Sequence, residues 1–184
     1  MKAKFPSVQL TDLTLRPLQE EDADQLFRIY QTEGVLKFFP NPNPPAFEKV
    51  QRFIHNQQSH WEKFGYGNWG IVPEGEAEII GWAGLQFLTE LDETEVGFLL
   101  DRPFWGRGYA TEAARASLQY GFNRFKLDRI IALVHPENRA SMRVIDKCGM
   151  EYQETLALWG ITLRRYRIDL PFWGTTDIAE MKRR

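Results

Sequence analysis

Residues 104–125 read F-W-G-R-G-Y-A-T-E-A-A-R-A-S-L-Q-Y-G-F-N-R-F, and no other stretch constrains the fold as strongly. Just before it, Val96-Gly97-Phe98-Leu99-Leu100 is an apolar run of the length expected for a buried strand. Within it, small and apolar residues recur at Ala110, Ala113, Ala114, Ser117, Leu118, Gly121, Phe122 and Phe125. A spacing of three and four residues describes one face of an α-helix. Strand, glycine loop and helix in that order present a helix N-terminus whose unpaired N–H groups and dipole attract phosphate. Gly106 and Gly108 carry no Cβ, so a ligand can come close to the backbone there. The stretch predicts a site for a phosphorylated ligand; the alternative is a tight turn without one.

Two other glycine loops fit poorly. A dinucleotide fingerprint, G-x-G-x-x-G, would need a third glycine where Thr111 stands, and an acidic residue ending the next strand, whereas Asp128 precedes that strand. The nucleoside-triphosphate pattern G-x-x-x-x-G-K-[ST] is absent from the chain.

Around this centre the chain alternates between strand and helix signals. Leu13-Thr14-Leu15-Arg16-Pro17-Leu18 reads as a strand at a sheet edge. Glu20, Glu21, Asp22 and Asp24 then open a helix, where acidic residues suit the dipole. Residues 34–45 hold four prolines and cannot form a continuous helix; Phe38 and Phe39 in this loop either line a pocket or pin the loop to the core. Residues 46–64 form a second helix, with His55 and His60 read as surface residues. Strands follow at 67–72, 77–88 and 94–100 as an antiparallel meander, then a buried strand at 129–134. A helix starts after Asn138 as N-cap and stops at Gly149, and a hairpin closes around Trp159-Gly160.

Composition narrows the function classes. At 184 residues the chain suits one domain, 1–184, with a core of about 11–170 and a tail at 171–184 of unassigned structure. Hydrophobic residues at 43% and charged residues at 26% are those of a globular protein. A formal net charge of −2 argues against a general nucleic-acid binder. A lone cysteine, Cys148, excludes an intrachain disulfide and a cysteine-based metal cluster, and no metal is expected. No segment reaches the ~18 uninterrupted apolar residues of a membrane span, and residues 1–10 lack a signal-peptide core, so a cytoplasmic protein is expected.

Over residues 11–170 this order resembles the GNAT superfamily of acetyl-CoA-dependent N-acetyltransferases, and within it the Rim-type, ribosomal-protein branch. The residues that carry the resemblance are W-G-R-G-Y-A-T-E-A at 105–113, N-R-A-S at 138–141, D-K-C-G-M at 146–150 and L-T-L-R-P-L at 13–18. The resemblance implies a mixed α/β (α+β) fold, with a central, mostly antiparallel, twisted sheet of about six to seven strands flanked by about four helices. It also implies acetyl-CoA as co-substrate and direct attack of a primary amine on its thioester, through a tetrahedral oxyanion. The acceptor it suggests first is a protein or peptide N-terminus; a small amine (polyamine, amino sugar, amino acid or drug) and a non-catalytic acyl-CoA-binding module are the alternatives. The expected oligomeric state is monomer or homodimer.

The resemblance also assigns residues. Phe98, Leu99, Leu100, Trp105, Gly106, Arg107, Gly108, Tyr109, Ala110, Thr111 and Asn138 would bind the cofactor, with Arg102 adding charge and a free backbone N–H near Leu99 and Leu100 receiving the acetyl oxygen. Glu95, on the face of Gly97 and Leu99, would be the base, and Phe38 and Phe39 would line the acceptor site. Trp105 departs from the loop pattern, which has glutamine or arginine at that position. The tyrosine that often acts as general acid, seven residues after the asparagine, is Ile145 here, which leaves Ser141 as the proton donor. Without the resemblance, Glu95 would read as a strand glutamate, Ser141 as a first-turn serine and Asn138 as a plain cap.

Overall fold

The computed structural model describes residues 5–170; the tail at 171–184 lies outside the described residues. Alternating apolar residues build eight strands among the described residues: β1 (Val8–Gln9), β2 (Leu13–Pro17), β3 (Asn68–Pro73), β4 (Gly81–Leu88), β5 (Glu93–Leu100), β6 (Arg129–Val134), β7 (Glu151–Leu158) and β8 (Ile161–Asp169). They form one sheet in the order β1-β2-β3-β4-β5-β6-β8-β7, antiparallel at every junction except β5–β6. The helices are α1 (Ala23–Gln31), α2 (Phe47–Phe64), α3 (Tyr109–Phe125) and α4 (Arg139–Lys147).

The fold class follows the sequence expectation, with one strand more than expected. That strand, β1, is too short to stand out as a pattern and is held by remote partners. The Trp69 indole N–H donates to Pro6 O at 2.9 Å, and Phe5 stacks on Trp61. The expected strand at 77–88 begins only at Gly81, because residues 74–79 form a turn; Ile80 already joins the ladder, with its N–H on Ile71 O.

Two apolar clusters flank the sheet. Val96 and Leu100 of β5 join α3 and α4 in one cluster, while Leu99 joins α1 and the first half of α2 in the other. Adjacent strand residues point to opposite faces, so at β5 the clusters lie on opposite sides of the sheet. Ala113, Ala114, Ser117 and Gly121 let α3 press close: a Cβ on Gly121 would come 2.7 Å from Leu85 Cδ1. Gly84 is tighter still, since a Cβ there would lie 2.1 Å from Gly67 O and 2.5 Å from Asn68 Cα. Backbone atoms cannot step aside as side-chain ends can. Gly84→Ala is therefore expected to destabilise the chain by about 1–3 kcal/mol or more, measured by urea unfolding; an unchanged midpoint would refute the packing argument.

Two readings of local charge are corrected. Asp22 does more than face a helix dipole: it is buried, receives both terminal nitrogens of Arg16 at 2.8 and 2.7 Å, and accepts the Gln19 N–H. His60 is not a free surface residue. Its Nε2 accepts the Phe87 N–H at 3.0 Å, so Nδ1 carries the proton and donates to Tyr66 O at 2.8 Å. Burial holds its pKa below the ordinary value, in keeping with a neutral ring that bridges α2 to β4. His55 is exposed, as expected.

Candidate active site

Between β5 and β6 the ladder opens. Their one register pair is Glu95 with Ile131, although both strands continue for several residues. Asp101 N–H donates to Ile80 O on the β4 side, so strand alternation turns the amides of Phe98 and Leu100 toward the gap. Leu100 O is taken by the Trp105 indole N–H at 2.8 Å. Trp105 therefore ties the glycine loop to the end of β5, a structural use for the side chain that replaces the usual polar one.

A cleft of about 420 Å³ runs over this opening, walled by the end of β5, the glycine loop, the start of α3 and one face of α4. Gly106 and Gly108 adopt φ of +76° and +89°, and a Cβ on either would meet nothing within 4 Å. The open space over the loop, with Gly108 as the N-cap of α3, fits a diphosphate against main-chain amides. Phe98, Leu99, Leu100, Trp105, Tyr109, Ala110, Thr111 and Asn138, the residues expected to bind the cofactor, all line the cleft. Arg107 is not among the lining residues; its guanidinium sits over the Phe104 ring, 5.3 Å from the centroid. Arg102 reaches Glu33 O at 3.5 Å instead of the cleft. The positive charge in the wall comes from α4, through Arg139, Arg143 and Lys147. Their spacing of four residues put them on one helix face and was readable in the sequence.

A smaller chamber of about 160 Å³ adjoins the cleft, and Phe38, Phe39, Phe98, Asn138 and Ser141 line both. Glu95 lies in this chamber. Its Oε1 accepts the Leu133 N–H at 3.2 Å, so the carboxylate occupies an amide that the parting strands leave available. Burial pushes the Glu95 carboxyl from about 4.5 up to about 7, while the Leu133 bond works in the opposite direction. A group poised there holds either proton state near neutral pH, which suits a general base. The neighbouring acids are engaged elsewhere: Arg165 binds both Glu93 and Glu154.

Asn138 caps α4 by accepting the Ser141 N–H at 3.1 Å, which sets Ser141 at the junction of the two spaces. Among the described residues no tyrosine lines the smaller chamber, and Ile145 does. Phe38 packs against His135, 5.2 Å between ring centroids, so it both pins the loop and forms a wall. Cys148 is buried, and burial pushes its thiol up to about 12, so it is an inert core residue. Trp82 and Trp159 also line the chamber and were not anticipated, because neither is near Glu95 in sequence.

A protein-family model described as an acetyltransferase (GNAT) domain matches residues 12–151. The chain is 31% identical to the N-acetyltransferase p20 of Bacillus licheniformis over 78% of its length and 82% of the relative's. It is 30% identical to the FsC-acetyl coenzyme A-N(2)-transacetylase of Aspergillus fumigatus over 82% of its length and 67% of the relative's. Among solved structures, a GNAT-family acetyltransferase from Bacillus anthracis aligns with TM-score 0.78 at 24% identity, covering 90% of this chain and 99% of the other. A ribosomal-protein-S5-alanine acetyltransferase from Vibrio fischeri aligns with TM-score 0.75 at 18% identity, covering 91% and 98%.

Proposed function

The chain belongs to the GNAT acetyltransferase family and is an acetyl-CoA-dependent N-acetyltransferase; on that premise we propose that its acceptor is a protein or peptide N-terminal amine and that Glu95 and Ser141 carry the proton transfers. The observation that carries the catalytic assignment is Glu95 at the strand opening, half-buried in the chamber that adjoins the cleft. The amine enters as ammonium. Glu95 takes one proton, and the free amine forms its C–N bond to the acetyl carbon. The amides of Phe98 and Leu100 receive the charge on the acetyl oxygen, a contribution of about 3 kcal/mol for a well-placed donor. As the C–S bond breaks, the Ser141 hydroxyl gives its proton to the sulfur and takes the second proton from the nitrogen. Glu95 then releases its proton to water.

The cleft supplies the other half of the reading. Amides of the loop from Gly106 to Ala110 would hold the diphosphate, with Arg139, Arg143 and Lys147 adding positive charge along the wall. Arg107 would contribute only by leaving the Phe104 ring.

Support for an N-terminal acceptor comes from the Rim-type motifs; the likeness to the V. fischeri enzyme, at 18% identity, speaks for fold alone. A small-amine acceptor is the second reading, favoured by the name of the A. fumigatus relative, an N(2)-transacetylase. Incubation with acetyl-CoA and a panel of peptides and small amines, read by mass spectrometry, decides between them. Acetylated small amines beside unmodified peptides would refute the N-terminal acceptor. Ser141→Ala is expected to lower kcat by on the order of 10²-fold with acceptor KM little changed; an unchanged kcat would remove Ser141 from the proton path.

A further inference from the structure

The smaller chamber carries information about the acceptor beyond its reactive nitrogen. We infer that it selects a single primary ammonium borne on a compact apolar group and discriminates against polyamines, with Trp159 as the specificity-determining wall. The inference rests on the transferase reading above.

Size comes first. A cavity of about 150 Å³ holds one benzene-sized group, and this chamber measures about 160 Å³. Its walls are Phe39, Trp82, Phe98, Trp159 and Leu163, which favour an apolar substituent and offer aromatic faces to a cation. Among the described residues, Glu95 is the only carboxylate in its lining. A polyamine would bring a second ammonium a few methylenes from the first and would need a second acid. Of the nearby acids, Glu93 and Glu154 hold Arg165, while Glu90, whose Oε1 accepts the Trp159 indole N–H at 2.9 Å, lies outside the chamber's lining. Burying an unpaired ammonium is costly, so the chamber disfavours it.

The placing of Trp159 is the second observation. It stands at the tip of the β7–β8 hairpin with φ of +52°, a conformation that a bulky residue adopts rarely and at a cost. Its indole crosses to the β4–β5 turn, 69 residues away, and lies against the chamber although the residue is 43% exposed. A tip formed only to reverse the chain would be served better by a glycine or asparagine at that φ. Glu90 acts as a positioning residue, holding the ring against the chamber.

The test compares three acceptors with the full chain and acetyl-CoA: phenethylamine, a short peptide beginning with leucine, and spermidine. At least one apolar acceptor should exceed spermidine in kcat/KM by about tenfold or more. Which of the two wins identifies the source of the amine. Trp159→Ala should cut that preference about tenfold through acceptor KM, with kcat and acetyl-CoA affinity held. Trp159→Phe, which keeps the aromatic wall, should restore most of it. Spermidine as the better substrate, or a Trp159→Ala variant that scales all three acceptors equally, would overturn the inference and leave the transferase reading standing. A wild-type chain that binds acetyl-CoA and acetylates none of a broad amine panel would overturn both.

Discussion

Glu95→Gln is expected to lower kcat by about 10²–10⁴-fold while acetyl-CoA affinity is kept, because the variant retains the chamber's shape and loses only the proton acceptor. The amide oxygen can still accept the Leu133 N–H that Glu95 Oε1 accepts now. The pH profile carries the sharper test. With the carboxyl raised to about 7, the base form is lost as pH falls through that value. At saturating acceptor, kcat should therefore drop about tenfold per pH unit below 7 and level off above it. In Glu95→Gln this acid limb should be missing. Stability moves the other way. A carboxyl whose folded pKa lies above its unfolded value favours the folded state at low pH, and that advantage is lost as pH rises from about 4.5 to about 7. Above pH 7 the glutamine variant should accordingly melt higher than the parent. A variant that keeps the acid limb, or loses activity only by unfolding, would remove Glu95 from the role of base.

Gly108→Val should weaken acetyl-CoA binding by on the order of 10²-fold, read by calorimetry. Gly108 sits at φ +89° as the N-cap of α3, and a Cβ there meets no protein atom within 4 Å. The folded chain thus has room for a Cβ, and the direct cost of substitution is backbone strain of about 1–2 kcal/mol. The loss of affinity comes from the ligand side, because a branched side chain would stand in front of the amides that hold the diphosphate. Gly75→Val is the matched control. Gly75 has φ +81° and equally open surroundings, in the turn between β3 and β4, and it does not line the cleft. Similar strain with acetyl-CoA affinity preserved is the expected result for the control. Equal losses at both glycines would mean that strain, and not blocked access, governs binding.

Particular residues show why parts of the site were legible in the chain and others were not. The glycine loop, the α3 face and the Asn138 cap were readable because each arises from neighbours within a few residues. Glu95 and Ser141 were nominated by the family resemblance, since position alone gives a strand glutamate and a first-turn serine. His60 misled, because its partners are Tyr66 in the loop after α2 and Phe87 on β4, and the sequence pattern does not distinguish it from His55. Arg107 shares the glycine loop yet turns to the Phe104 ring, whereas the cleft wall draws its charge from Arg139, Arg143 and Lys147. Trp159 is remote from Glu95 in the chain, and only the hairpin brings them to one chamber.

By itself, the sequence determined the order of the helices and of the strands from β2 onward, the bare turn ahead of α3 and the caps of α4, since short-range sterics and hydrogen bonding set these. Only the tertiary structure decided that β5 and β6 part after Glu95, that the carboxyl is shielded enough to titrate near 7, and that Trp159 lines the same chamber of about 160 Å³. Those outcomes depend on desolvation and on contacts between residues far apart in the chain, which appear only once the sheet has assembled.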